Sequence, residues 1–159
     1  MSPEPQAVTL RAGRGRCGLT QAAAKVVWLA ALLAAVGFVV RASSSLDARQ
    51  RAELLAAHNR WRASVGVGPL RWSPRLADRA QSWADTLANQ GCAMRHSNAS
   101  GVGENLFYAS ARRSGRRREI QPIAARAVVD AWGREAADYS RTRNRCAPGK
   151  VCGHYTQIV

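Results

Sequence analysis

The stretch KVCGHYTQIV, residues 150–159, sets a histidine next to a glycine and two positions after a cysteine. Apolar and polar residues alternate through it, so CGHYTQIV is predicted to be a strand. His154 then stands near a strand end, where side chains from distant segments can meet. Working back, SRTRNRCAPGK, 140–150, reads as a loop. Before it, Val128, Trp132, Glu135 and Tyr139 share one stripe of a helix predicted to open at Pro122. Glu135 is therefore a carboxylate on an apolar stripe. Such a group either reaches the rim or faces a polar cleft.

Further upstream, Leu54, His58, Trp61 and Val65 recur at helical spacing between Asp47 and the GVG of 66–68. His58 lies on that buried stripe and is expected to be a satisfied core histidine. Ser73-Pro74 is a helix start, with serine as cap and proline as first helical residue. Leu76, Ala80, Trp83 and Leu87 form its stripe, and Gly91 stops it. Residues 92–103 read as a loop carrying His96. ENLFYA, 104–109, reads as a strand that begins at Glu104 directly after a Gly-x-Gly turn. SARRSGRRRE, 110–119, reads as a basic loop. Helices packed on a mixed sheet make this an α+β domain, with a layered αβα arrangement as its specific form.

The chain has 159 residues, which suits one domain, and carries 24 Lys+Arg against 10 Asp+Glu. Such charge favours nucleic acid, anionic membrane or acidic polysaccharide as partners. The N-terminus bears on the choice. Arg11, Arg14, Arg16 and Lys25 precede VVWLAALLAAVGFVV, 26–40, and Arg41 with ASSS follow it. A basic region, a short apolar run and small residues describe a secretory signal, with cleavage expected near residues 42–45. The alternative is a single-pass signal anchor, for which fifteen apolar residues are short of the ~20 a bilayer wants. Residues 1–44 are thus read as signal peptide or anchor and 45–159 as the domain. Residues 46–159 still hold 19 Lys+Arg against 9 Asp+Glu, so the basicity belongs to the domain.

Export fits the cysteines. Beyond Cys17 there are Cys92, Cys146 and Cys152, an odd set of disulfide candidates with no CxxC zinc spacing. Asn98-Ala-Ser100 is an N-glycosylation sequon. Arg112, Arg113, Arg116, Arg117 and Arg118 crowd seven positions. The plain reading is a solvated loop. The functional one is salt-sensitive attraction to acidic wall polysaccharide or anionic lipid. Nucleic acid is not expected, because no aromatics interleave for base stacking.

His96, Glu104, Glu135 and His154 come from four separate segments. Spacing alone leaves each making its own local hydrogen bond, since zinc sites usually show close ligand pairs. AAHNRWRASVGVGPLRWSPRLADRAQSWA, GCAMRHS, GENLFYAS, VVDAWGREAADYS and NRCAPGKVCGHYTQIV, taken together and in order, resemble the CAP superfamily of the plant pathogenesis-related 1 type. The resemblance covers 47–159. It implies a three-layer αβα sandwich around a cleft, with His96, Glu104, Glu135 and His154 as the cleft tetrad. It further implies that His96 and His154 can hold zinc or another divalent cation, with the glutamates binding or orienting water, although no cofactor is required. It implies an apoplastic defence protein that binds sterol or another lipid and is not an enzyme. The competing reading is a metal-dependent hydrolase or protease using the same cleft, for which the sequence has no HExxH pair. Relatives continue beyond the match to Val159 with a tryptophan, further strands and three more cysteines. On that resemblance the chain is a C-terminally truncated domain, and partners for Cys92, Cys146 and Cys152 are expected in that part.

Overall fold

A computed structural model describes residues 7–9, 46–119 and 121–159 of the chain. Helix α1 runs Ala48–Ala63 and α2 runs Pro74–Asn89. Asp47 and Gln50 close a reciprocal capping box on α1, satisfying two of its otherwise unpaired N–H groups. Ser73 caps α2 and Pro74 is its first residue. Helix α3 is Ala125–Gly133, continued by a 3-10 turn, Arg134–Asp138. It starts three residues after Pro122, and Glu135 sits in the tighter turn, not on an α-helical stripe.

The strands are short. β1, Ala7–Thr9, pairs in parallel with β2, Glu104–Leu106, placing Ala7 opposite Glu104. β3, Arg112–Ser114, and β4, Arg117–Glu119, form an antiparallel hairpin where a loop was expected. β5, Tyr139–Ser140, and β6, Arg145–Cys146, form a second antiparallel ladder inside the expected loop 140–150. The described chain is therefore mixed α+β, with three two-stranded ladders.

The last segment departs most from expectation. Gly153–Ile158 is a helix, α4, not a strand. Its buried residues are Tyr155 and Ile158, with Cys152 buried just before it. Those three follow a spacing of three, the period of a helical turn, and the local alternation is incidental to it. Six residues are too few to hold a helix on propensity, so tertiary contacts must support it. Ile158 supplies one, joining Leu54, Ala57, Ala125, Val128, Val129 and Trp132 in the core that unites α1, α3 and α4.

Arg62 supplies another. Its guanidinium is buried, with Nε donating to the Gly68 carbonyl at 2.6 Å and Nη1 to the Ile158 carbonyl at 2.8 Å. A cation at a helix C-terminus is favourable, and here it also ties α1 to α4. Hydropathy gives no hint that this arginine is interior. Its Nη2 has no hydrogen-bond partner among the described residues. His58 is buried as expected, but only half satisfied: Nδ1 bonds the Leu54 carbonyl at 2.9 Å, while Nε2 is buried without a partner among the described residues.

Cys146 and Cys152 are disulfide-bonded to each other, with Cα atoms 5.8 Å apart. The expectation that both look beyond Val159 for partners is corrected: the β5–β6 ladder and the turn after it bring the two together. Cys92 is disulfide-bonded as well, so its expected partner beyond Val159 is likewise corrected, and no described cysteine is free. Among the described residues no helix is long and apolar enough to cross a membrane. The apolar run 26–40 and the cleavage region 42–45 lie outside the described residues.

Candidate functional site

The site is assembled from two histidine–glutamate pairs. His96 lies on the segment after α2, which is anchored back onto that helix. Trp83 Nε1 donates to the Arg95 carbonyl at 3.1 Å, and the Arg95 guanidinium lies over the Trp83 ring, 5.6 Å from its centroid, while also bonding Gln90. Cys92 adopts a left-handed φ of 65° and donates its N–H to Leu87, closing the helix end. With Arg95 fixed, the next residue projects toward β2. His96 Nδ1 meets Glu104 Oε1 at 2.7 Å, and the same oxygen accepts the Ser97 N–H at 3.0 Å.

The second pair joins the 3-10 turn to α4. His154 Nδ1 meets Glu135 Oε1 at 2.7 Å. Glu135 Oε2 accepts the backbone N–H of His154 at 3.0 Å and of Tyr155 at 3.3 Å. Cys152 offers no side-chain cap, so Glu135 serves as the cap of α4 from another element. This answers the question posed by a carboxylate beside apolar residues: it faces the helix end it satisfies. Asn105 Nδ2 donates to the His154 carbonyl at 3.0 Å, and the Trp132 indole stacks on the His154 ring with planes 13° apart. Trp132 is itself fixed by Nε1 donating to the Leu106 carbonyl at 3.2 Å.

His96, Glu104 and His154 line one cavity of about 420 Å³, with Asn105, Gln157 and Asn98 also on its wall. Glu135 stands behind His154 and is not on the wall. Asn98, of the sequon, is exposed with a left-handed φ of 56°. The 97–104 loop divides this cavity from a groove of about 520 Å³ against α2. Asn105 and Trp132 were not singled out from sequence. Their signal was adjacency: Asn105 follows Glu104 in GENL, and Trp132 precedes Glu135 by one helical turn.

An ionised carboxylate only accepts hydrogen bonds, so each Nδ1 carries a proton, and in the neutral imidazole Nε2 keeps its lone pair. That is the arrangement by which a carboxylate prepares an imidazole to ligate a metal. Yet no group of three or more His, Cys, Asp or Glu among the described residues is disposed to hold a metal ion. His96 and His154 present two imidazoles to the same cavity.

The profile of the CAP family, the cysteine-rich secretory protein family, matches residues 55–159. The chain belongs to the CAP family. It is 43% identical over 107 residues to Pathogenesis-related leaf protein 4 of Solanum lycopersicum, covering 67% of this chain and 58% of that relative. It is 41% identical over 103 residues to Pathogenesis-related protein PR-1 type of Sambucus nigra, covering 65% and 56%. To Pathogenesis-related protein 1 of Arabidopsis thaliana it is 38% identical over 132 residues, covering 83% and 72%. The chain thus spans a little over half the length of the first two relatives. No solved structure matches it.

Proposed function

We propose that this CAP chain is part of an exported plant defence protein of the pathogenesis-related 1 type, acting by binding and not by catalysis. The kinship with proteins of that name supports the defence reading. The family description and the N-terminal pattern of basic, apolar and small residues support export. On this reading the complete domain is the αβα sandwich of its family. The ligand is a sterol or related lipid, a reading that rests on the resemblance.

The observation that carries binding over catalysis is the occupation of the carboxylates. Glu135 has both oxygens engaged, by one imidazole and two backbone N–H groups. Glu104 Oε1 serves the His96 imidazole and Ser97 N–H together. A general base needs a lone pair aimed at its proton, and three of these four carboxylate oxygens are committed to an imidazole or a backbone N–H. His96 Nε2 and His154 Nε2 would hold a divalent cation such as zinc. When bound, that ion supplies positive charge for an anionic or polar ligand group.

The test uses the protein in its longest natural form, titrated with zinc and separately with a sterol, beside the His96→Ala/His154→Ala variant. The expected result is one zinc site lost in the variant, with sterol affinity unchanged. Metal-dependent ester or peptide hydrolysis that disappears in the variant would replace this reading with the hydrolase. Sterol binding absent from both proteins would remove the lipid ligand.

A further inference from the structure

The run ARRSGRRRE, 111–119, is ordered by its backbone. Arg112 lies opposite Glu119, Arg113 opposite Arg118 and Ser114 opposite Arg117, with Gly115-Arg116 at the turn. Gly115 takes a φ of 59°, the left-handed conformation that two-residue hairpin turns require and glycine provides without strain. Gln121 Nε2 donates to the Ser110 carbonyl at 2.7 Å and closes the base of the hairpin. Arg112, Arg113, Arg116 and Arg117 are exposed. None of these four forms an ion pair with a described residue.

This arrangement works against stability. Like charges directly opposite across an antiparallel pair are unfavourable, and the Arg113–Arg118 register places two together. No apolar face of the hairpin is buried to offset that. The one opposite-sign pairing, Arg112 with Glu119, stands at the base, so positive charge is densest toward the tip.

We propose that the β3–β4 hairpin is a docking surface for a polysaccharide bearing repeated carboxylates. Each guanidinium presents a planar fork that matches a carboxylate in two hydrogen bonds. The register puts Arg113 and Arg118 opposite one another on one face, with strands about 5 Å apart, and Arg112 and Arg117 on the other face, with Arg116 at the tip. Guanidiniums spread over both faces and the tip cannot converge on a single small anion, but they can each meet a carboxylate of a polymer that carries many. A membrane is disfavoured because the tip, Ser114-Gly115-Arg116, offers no apolar residue to enter the acyl boundary. Single-stranded nucleic acid is disfavoured because no aromatic residue lies within the hairpin to stack on bases. This surface is independent of the His–Glu cleft.

The experiment measures retention of the full chain on immobilised polygalacturonate and on its methyl ester. It runs at about 10 mM salt, where charges act over ~30 Å, and again near 1 M, where they act over ~3 Å. The hairpin variant replaces Arg112, Arg113, Arg116, Arg117 and Arg118 with glutamine. A charge-matched control replaces Arg49, Arg51, Arg71, Arg75 and Arg79, all exposed on or beside α1 and α2. The expected result is binding to the free acid only, abolished at high salt, about tenfold weaker in the hairpin variant and much less reduced in the control. An Arg→Lys version of the hairpin set, with unchanged charge, is expected to fall between wild type and the glutamine variant. Equal loss in both glutamine variants would mean that net charge alone attracts the polymer. Equal retention on the methyl ester, or tighter binding to phosphatidylserine vesicles or single-stranded DNA than to polygalacturonate, would overturn the proposal.

Discussion

Glu135 holds His154 at two points at once, its Oε1 on the ring Nδ1 at 2.7 Å and its Oε2 on the backbone N–H at 3.0 Å. One carboxylate therefore fixes both the imidazole and the start of α4. Glu135→Ala leaves the His154 and Tyr155 N–H groups without their acceptor and frees the ring. The expected cost is about 1–3 kcal/mol, read as a lower urea midpoint. Glu135→Gln is more informative. Its single oxygen satisfies the backbone, so its NH₂ faces Nδ1 and reverses the tautomer. Imidazole ¹⁵N shifts should move the proton from Nδ1 to Nε2. An unchanged tautomer would show that Glu135 does not set it.

Gly133, the last residue of α3, has no room for a side chain. A Cβ there would come within 2.1 Å of the Trp61 ring, although its φ of −63° suits any residue. Gly133→Ala must displace that indole, whose Nε1 donates to Asp130 at 2.9 Å. Overpacking of this kind costs about 1–3 kcal/mol. A combined Gly133→Ala/Trp61→Phe protein, with a smaller ring, should recover part of the loss in thermal unfolding. If Gly133→Ala alone melts like wild type, the close approach is not a constraint in solution.

Asp130 gathers charge at the nitrogen edge of that indole. Desolvation opposes its ionisation, but the Trp61 hydrogen bond and the Arg60 and Arg126 guanidiniums outweigh it, so its pKa falls below the ordinary 3.8. A depressed carboxylate contributes stability that is present above the unfolded value and is lost as pH falls through the folded one. Asp130→Asn should therefore be less stable at neutral pH and lose less than wild type between pH 4 and 2, by roughly 1 kcal/mol or less because the group is partly exposed. Parallel acid-unfolding curves for the two proteins would contradict this.

His58 works at milder pH. Burial lowers its pKa below 6.5; the Leu54 carbonyl pulls it upward and the Arg62 charge pushes it down. The folded chain keeps the ring neutral where the unfolded chain takes up a proton. Stability from this group is complete above about pH 6.5 and declines below it, by at most about 1.4 kcal/mol per pH unit. His58→Gln should flatten that decline in urea titrations between pH 7 and 5. A slope that survives the substitution would assign the proton to another group.

Helices α1 and α2 were legible because their signals are local. Asp47 and Ser73 cap them, Pro74 opens the second, and the spacing of Leu54 and His58, and of Leu76, Ala80 and Leu87, names the buried faces. The family motifs also named His96, Glu104, Glu135 and His154 as the residues to watch. No periodicity could reveal that Arg62 is interior, because its burial depends on carbonyls at Gly68 and Ile158, six and 96 positions away.

The sequence by itself determined an α+β CAP domain, its two long helices and the identity of its histidines and glutamates. Only the tertiary structure decided that residues 153–158 are a helix, that Cys146 pairs with Cys152, and that Glu135 stands behind His154 while Glu104 shares the cavity wall. The reason is the range of the forces. Caps and apolar stripes act within a few residues, so they are written in order along the chain. The six-residue α4 has too few hydrogen bonds of its own, and its state is set by a carboxylate 19 positions upstream and a guanidinium 96 positions upstream.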